Sequence, residues 1–213
     1  MHFTFGDLEL HPLFPVPIAR QQVPKIDPVV KDFLMNYKEV VLRPDSQKAG
    51  HILKVLDEPI CKDLKQDITN RVHDYVYNCL GVSKSVEFRM TNSWVSKQDP
   101  GQPVWMHSHA TSILSGVLYL QADENSGRIV FHRRKHFDNL FSETIHIPVD
   151  FPNLITSSGI PFEVKENDLL LFPSNLEHSV EENNSNRSRY SLAFNFFVYG
   201  TFGYDNVTQL EIE

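Results

Sequence analysis

Cysteine is scarce in this chain of 213 residues, with only Cys61 and Cys79 present. Neither belongs to a Cys-x-x-Cys pair. Both fall in one expected helix, where a rise of about 1.5 Å per residue separates them by about 27 Å, too far for a disulfide. They read as two small buried apolar side chains. Long apolar runs are also missing: no uninterrupted stretch approaches about 18 residues, so no membrane-spanning helix is expected. The opening Met1-His2-Phe3-Thr4-Phe5-Gly6-Asp7 lacks the basic-then-apolar order of a signal peptide, and a cytoplasmic protein is the expectation. Positive charge is in deficit. Lys and Arg number 20 against 27 Asp and Glu, a formal net charge of -7, which argues against the basic footprint of a nucleic-acid binder. Internal repeats and low-complexity tracts are absent, and Glu181-Glu182-Asn183-Asn184-Ser185-Asn186 reads as a polar loop tip.

What is present fits one soluble globular domain spanning 1–213, with 41% hydrophobic and 22% charged residues. Residues 1–85 are expected to form a helical buttress and 86–200 a jelly-roll core. Three prolines make His11 to Ile18 an extended edge segment. A helix is expected after Asp27-Pro28, through Met35. A longer one starts near Asp57-Glu58-Pro59 and stops near Gly81, with Ile60, Leu64, Ile68, Val72 and Val76 forming one apolar stripe that packs on a sheet. From Val86 onward the texture changes to short β-rich runs: Val86 to Val95, Ser112 to Leu120, Gly127 to His132, Thr144 to Val149, Asp168 to Phe172, and Arg189 to Tyr199. Short strands at this cadence mean a sandwich, barrel or jelly roll, mainly β with N-terminal helices.

Most of the ten histidines carry no signal. His2, His11, His51 and His73 sit in terminal, loop or helix-surface contexts where a solvated or singly hydrogen-bonded imidazole is the expectation. His132, His136 and His146 lie in or beside Arg133-Arg134-Lys135, which reads as a solvated loop. His107 and His109 differ. In an extended segment residues i and i+2 project to one side, so both imidazoles of Trp105-Met106-His107-Ser108-His109 can converge on one ion. Alone, a His-x-His is a weak signal. His178, which follows the buried run Asp168-Leu169-Leu170-Leu171-Phe172-Pro173, offers a third nitrogen from a distant strand pair. Imidazole suits Fe, Zn, Cu and Ni, and three adjacent ligands leave other positions open.

Arg189-Tyr190-Ser191 opens the last strand. Strict alternation places Arg189, Ser191, Ala193 and Asn195 on one face, with Tyr190, Leu192, Phe194 and Phe196 on the other. A guanidinium on the inner face of a barrel is costly unless it meets an anion, and its planar fork fits a carboxylate. That carboxylate belongs either to a ligand or to a structural salt bridge.

His-x-His, a Ser-Gly-Val-x-Tyr-Leu strand, a Leu-Phe-Pro-x-x-x-x-His turn and Arg-x-Ser leading into Phe-Asn-Phe occur in that order. The chain thereby resembles the 2-oxoglutarate-Fe(II) oxygenases of bacteria and phages, from Leu13-Phe14-Pro15 to Phe197 and most densely over Asn92 to Leu120 and Asp168 to Phe197. The resemblance implies a double-stranded β-helix with iron near one open end. It implies that His107 and His178 are the two histidines of the metal triad, and that His109 stands where the wider superfamily usually has Asp or Glu. It makes Arg189 the residue that grips the distal carboxylate of 2-oxoglutarate, with Ser191 and the hydroxyl of Tyr119 as partners. Asn92, Trp94 and Asn195 become pocket residues, core packing being the alternative for Trp94. No catalytic side chain beyond the metal centre is implied. The implied reaction converts 2-oxoglutarate to succinate and carbon dioxide while a substrate is hydroxylated.

Two other readings stand beside it. A three-histidine site in a β-barrel is also similar to thiol dioxygenases and other cupins, which oxidise a directly bound substrate without 2-oxoglutarate. A non-catalytic jelly-roll module would hold a structural metal in a closed site, but the sequence offers no fourth ligand at a matching position. The primary substrate, small molecule or protein side chain, is chosen by loops that carry no pattern, and no feature sets an oligomeric state. Arg128, Arg133, Arg134 and Lys135 form a basic cluster able to steer an anion.

Overall fold

The computed structural model describes residues 3–5, 7–11, 15–37, 53–133, 148–203 and 209–213. His2, Leu13-Phe14, His51, Arg134, Lys135, His136, His146 and most of the run expected as a strand from Thr144 lie outside them.

Helix α1 (Pro28–Met35) starts as the sequence dictates: the Asp27 carboxylate accepts from the backbone N–H of Val29 and Val30, and Pro28 occupies the first turn. The second helix is not continuous. Two 3₁₀ turns, Val55–Asp57 and Pro59–Cys61, precede α2 (Lys62–His73), and a π turn, Asp74–Cys79, follows. Ile68, Val72 and Val76 face the core as expected, whereas Ile60 is exposed and Cys61 points inward in its place. A 3₁₀ turn advances about 120° per residue, so the stripe loses its phase there. The wide turn has the converse effect: Tyr75 and Val76 both turn inward and Cys79 is left exposed. Of the two cysteines only Cys61 is the buried apolar residue expected, with burial pushing its thiol up to about 11.

Strands β1 (Phe3–Phe5) and β2 (Leu8–Leu10) form a hairpin. Next comes β3 (Ala19–Gln22), which is the edge strand; the prolines before it cannot donate to a ladder, so pairing begins after them. The remaining strands are β4 (Val86–Gln98), β5 (Val104–His107), β6 (Leu114–Gln121), β7 (Ile129–His132), β8 (Gly159–Phe162), β9 (Asp168–Pro173), β10 (His178–Val180), β11 (Arg189–Phe202) and β12 (Leu210–Ile212). One sheet runs β12-β11-β6-β9-β3, with β4 paired to β11; the other runs β5-β10-β7-β8. All of these pairings are antiparallel.

Two apolar layers follow from strand alternation. Leu118, Leu120, Leu169, Leu171, Leu192, Phe194 and Phe196 of the larger sheet pack on Leu34, Ile68, Val72 and Val76, so the helices cover its outer face. Val117, Tyr119, Leu170 and Phe172 turn the other way and meet Ile129 and Phe131, filling the space between the sheets. Gly116 lies where these layers meet: an added Cβ would overlap the Phe194 ring. This is a double-stranded β-helix buttressed by helices, with its inner face open to a cavity.

Candidate functional site

Register brings the histidines together. His178 of β10 is the cross-strand partner of His107 of β5, and His109 lies two residues beyond β5's last position. The ring centroids of His107 and His178 are 4.4 Å apart, and those of His109 and His178 are 5.1 Å apart. One nitrogen from each ring lies within 4.8 Å of the others, a grouping able to hold a metal ion. The Nδ1 atoms are all engaged elsewhere: His107 with the Trp105 carbonyl at 2.8 Å, His178 with the Leu176 carbonyl at 2.9 Å, and His109 with Asn195 Oδ1 at 2.7 Å and Ser115 Oγ at 2.8 Å. Bonds to carbonyl oxygens require Nδ1–H, which leaves each Nε2 with its lone pair free for an ion. The donor set fits a ferrous ion by its chemistry.

Burial pushes the His178 imidazole down to about 3, with the positive charge of a protonated His107 adding to the effect. It lowers His109 as well, against the opposing bond from Asn195. In the unfolded chain an imidazole takes its proton near pH 6.5. Between that value and about 3 the unfolded chain therefore holds more protons than the fold, and acid favours unfolding. Metal-free protein is expected to lose a few kcal/mol of stability as pH falls through this window. His178→Asn should flatten that part of the curve, which denaturant midpoints measured across a pH series will check.

The second half of the site belongs to the larger sheet. A cavity of about 450 Å³ is lined by the three histidines and by Tyr119, Arg189, Ser191, Asn92 and Trp94. Arg189 is 2% exposed. Its Nε and Nη2 donate to Gln98 Oε1 at 3.1 and 2.7 Å, and Nη1 reaches the carbonyls of Ser126 and Gly127, each at 3.3 Å. Among the described residues no carboxylate meets it, so the structural salt bridge is not the arrangement found. Desolvation lowers its affinity for a proton and Tyr119 partly restores it, but a guanidinium stays charged. Tyr119 is also buried, which pushes its hydroxyl up to about 12 against the pull of Arg189. That hydroxyl has no hydrogen-bond partner among the described residues. Ser191 lies directly opposite Tyr119 in the β11–β6 ladder, because a register shift at Tyr190 and Ser191 skips Leu120.

Asn92 and Trp94 line the cavity, and the Trp94 ring lies 5.6 Å from that of His109. Asn195 stands behind His109 rather than on the wall, completing a buried chain through Ser115 Oγ and Ser174 Oγ. His132 is not in a solvated loop: it ends β7, and its Nε2 is 2.8 Å from Ser179 Oγ. Of the basic cluster, Arg128 is neutralised by an ion pair with Glu181 at 2.7 Å, and Arg133 is tied down by donating to the Ile155 carbonyl. The polar loop tip also hides a structural residue: Asn183 is 1% exposed and its amide donates to the Gln98 and Arg187 carbonyls. Sequence reading missed Gln98 altogether. The cross-strand register that sets it opposite Arg189 was its one signal, and that register is not local.

A family profile described as "Putative 2OG-Fe(II) oxygenase" matches residues 92–195, a narrower span than the resemblance implied. No curated protein matches the chain. Among solved structures, AviO1 from Streptomyces viridochromogenes Tue57 superposes with a TM-score of 0.55 at 13% identity, over 85% of this chain and 89% of that one. HygX from Streptomyces hygroscopicus, solved with nickel and 2-oxoglutarate bound, gives 0.52 at 11% identity over 85% and 81%. An oxidoreductase of the 2OG-Fe(II) oxygenase family from Burkholderia pseudomallei aligns with 65% of this chain at 14% identity and a TM-score of 0.45, and the alignment spans 56% of its own length. At these identities the structures speak to the fold. The profile encloses the three histidines together with Asn92, Trp94, Tyr119, Arg189 and Ser191 of the cavity wall, and over residues 92–195 the chain matches the model of the 2OG-Fe(II) oxygenase family.

Proposed function

We propose that the protein, read as one domain over 1–213, is a cytoplasmic Fe(II)- and 2-oxoglutarate-dependent dioxygenase that hydroxylates a small molecule or a protein side chain. One observation carries the proposal: a single cavity has three imidazoles with free Nε2 atoms on one wall and a buried guanidinium without a carboxylate partner among the described residues on another. In this reading His107, His109 and His178 hold Fe(II), while Arg189, Ser191 and Tyr119 receive the distal carboxylate of 2-oxoglutarate. When bound, the pair supplies the oxidising chemistry, with 2-oxoglutarate and oxygen becoming succinate, carbon dioxide and a substrate hydroxyl. The chain's own part is placement. The Trp105 and Leu176 carbonyls and Asn195 fix the imidazole tautomers, and the interior of the β-helix excludes water. Asn92 and Trp94 border the space left for substrate. No helix among the described residues is long and apolar enough to cross a membrane.

Anaerobic addition of Fe(II) and 2-oxoglutarate should produce a visible charge-transfer band, and oxygen uptake should require 2-oxoglutarate. Oxygen uptake with a bound substrate and no 2-oxoglutarate would instead support the cupin-type reaction. Tyr119→Phe is expected to weaken 2-oxoglutarate binding by about 1 kcal/mol, the value of one hydrogen bond, with melting temperature almost unchanged. A large fall in melting temperature with unaltered affinity would make the hydroxyl structural.

A further inference from the structure

We propose that Gln98 is a positioning residue that aims Arg189 into the cavity while leaving its positive charge uncancelled, and that this neutral clamp makes the pocket selective for a second carboxylate on the ligand. The inference rests on the reading of the cavity as a 2-oxoglutarate site. Gln98 ends β4 directly across from Arg189 of β11, is 3% exposed, and shares the cavity wall with it. Its Oε1 accepts two of the guanidinium's N–H groups, from Nε and Nη2. Its own amide nitrogen donates to Ser96 Oγ at 2.6 Å, which turns the oxygen toward the arginine. The strand end is pinned in turn, because the Gln98 carbonyl accepts from the buried Asn183 amide at 3.0 Å.

A buried arginine is ordinarily balanced by a carboxylate, since an unpaired ion in a dry interior is costly. Here every acceptor on the guanidinium among the described residues is neutral: one amide oxygen and two peptide carbonyls. Those bonds take up the Nε edge and Nη1 and leave an N–H on Nη2, in a cavity whose lining also includes Tyr119, with its unbonded hydroxyl, and Ser191. The fork is thus held rather than offered whole. What the cavity presents to a ligand is a fixed unit charge with one guanidinium N–H and two hydroxyls around it. A glutamate at this position would have nearly the same shape and would orient the arginine equally well, but it would supply the counter-charge that the ligand is meant to bring.

The test compares 2-oxoglutarate with 2-oxopentanoate, which has the same chain and keto acid but no distal carboxylate. Binding of each to anaerobic Fe(II)-loaded protein is measured for the parent, Gln98→Glu and Gln98→Met, alongside melting temperature. The parent should prefer 2-oxoglutarate by roughly 100-fold. Gln98→Glu should melt at the same temperature or higher, yet bind the two ligands within a few-fold of each other. Gln98→Met, which loses the acceptor but adds no charge, should weaken 2-oxoglutarate by roughly 10-fold and keep a clear preference for it. Opposite movement of stability and selectivity is something a merely structural glutamine would not give. If the parent prefers 2-oxoglutarate and Gln98→Glu does so equally, the clamp proposal falls and the cosubstrate reading stands. A Gln98→Met protein that loses the preference entirely likewise overturns it, even if Gln98→Glu fails to fold. A parent that binds both ligands alike removes the cosubstrate reading and this inference with it.

Discussion

Arg189→Ala is expected to weaken 2-oxoglutarate binding by roughly 100-fold or more while the protein still takes up metal, because a charge-assisted contact in a desolvated pocket is worth on the order of 3 kcal/mol. The substitution also strips donors from Gln98 and from the Ser126 and Gly127 carbonyls, so some loss of stability accompanies it. Arg189→Lys separates the two effects. It keeps a positive charge near the site without the planar fork and should recover part of the affinity. Calorimetric titration of 2-oxoglutarate into metal-loaded variants, with melting temperatures measured beside it, checks both. Among the described residues no other cation lines the cavity: Arg187, two residues upstream, is exposed and bonds Asp123 at 3.1 Å. Undiminished affinity in a folded Arg189→Ala protein would therefore remove the cosubstrate reading itself.

The other large effect is expected at His109. Its replacement by alanine should lower metal affinity by roughly 100-fold or more, beyond the loss usual for a residue that only supports a ligand. His109→Asp should retain metal, since a carboxylate can occupy the same position, but with altered charge. Three neutral imidazoles around a ferrous ion leave a charge of about +2, and a dianionic cosubstrate brings that to zero, whereas a carboxylate ligand takes the same centre to about -1. The histidine form should therefore attract anions more strongly than His109→Asp does. Metal content after desalting, followed by 2-oxoglutarate titration, measures the two quantities separately. If His109→Ala holds iron as well as the parent, His109 only supports the site, in the same way that Asn195 and Ser115 support His109.

How far the site was readable depends on the range of the physics involved. Alternation along β11 is local, and it correctly separated Arg189 and Ser191 from Leu192, Phe194 and Phe196. The two-residue spacing of His107 and His109 does bring their rings together, with centroids 5.4 Å apart, although β5 ends at His107 and His109 lies beyond it. Chain-distant facts were out of reach: the ion pair between Arg128 and Glu181, and the glutamine facing Arg189, depend on which strands become neighbours. Short strands also escaped notice. β5, β8 and β10 are three or four residues long, too brief to establish a period, although β5 and β10 carry two of the three histidines. The helical misreadings have a different origin, because 3₁₀ and π turns change the residue count per turn and no composition signal marks the change at Ile60 or Cys79.

The histidines of β5 and β10 stand on one sheet, and Arg189, Ser191 and Tyr119 stand on the other, with Leu170 and Phe131 packed in the layer between. Neither Leu170 nor Phe131 lines the cavity. In the proposed reading a ligand gripped at both ends spans from one sheet to the other, so the thickness of that apolar layer would act as a caliper on its carbon chain. Discrimination between a five-carbon keto diacid and its shorter or longer homologues then becomes a packing property, set by methyl and ring volumes that never contact the ligand. Drift in those volumes would change which chain length fits while leaving every polar residue of the site in place.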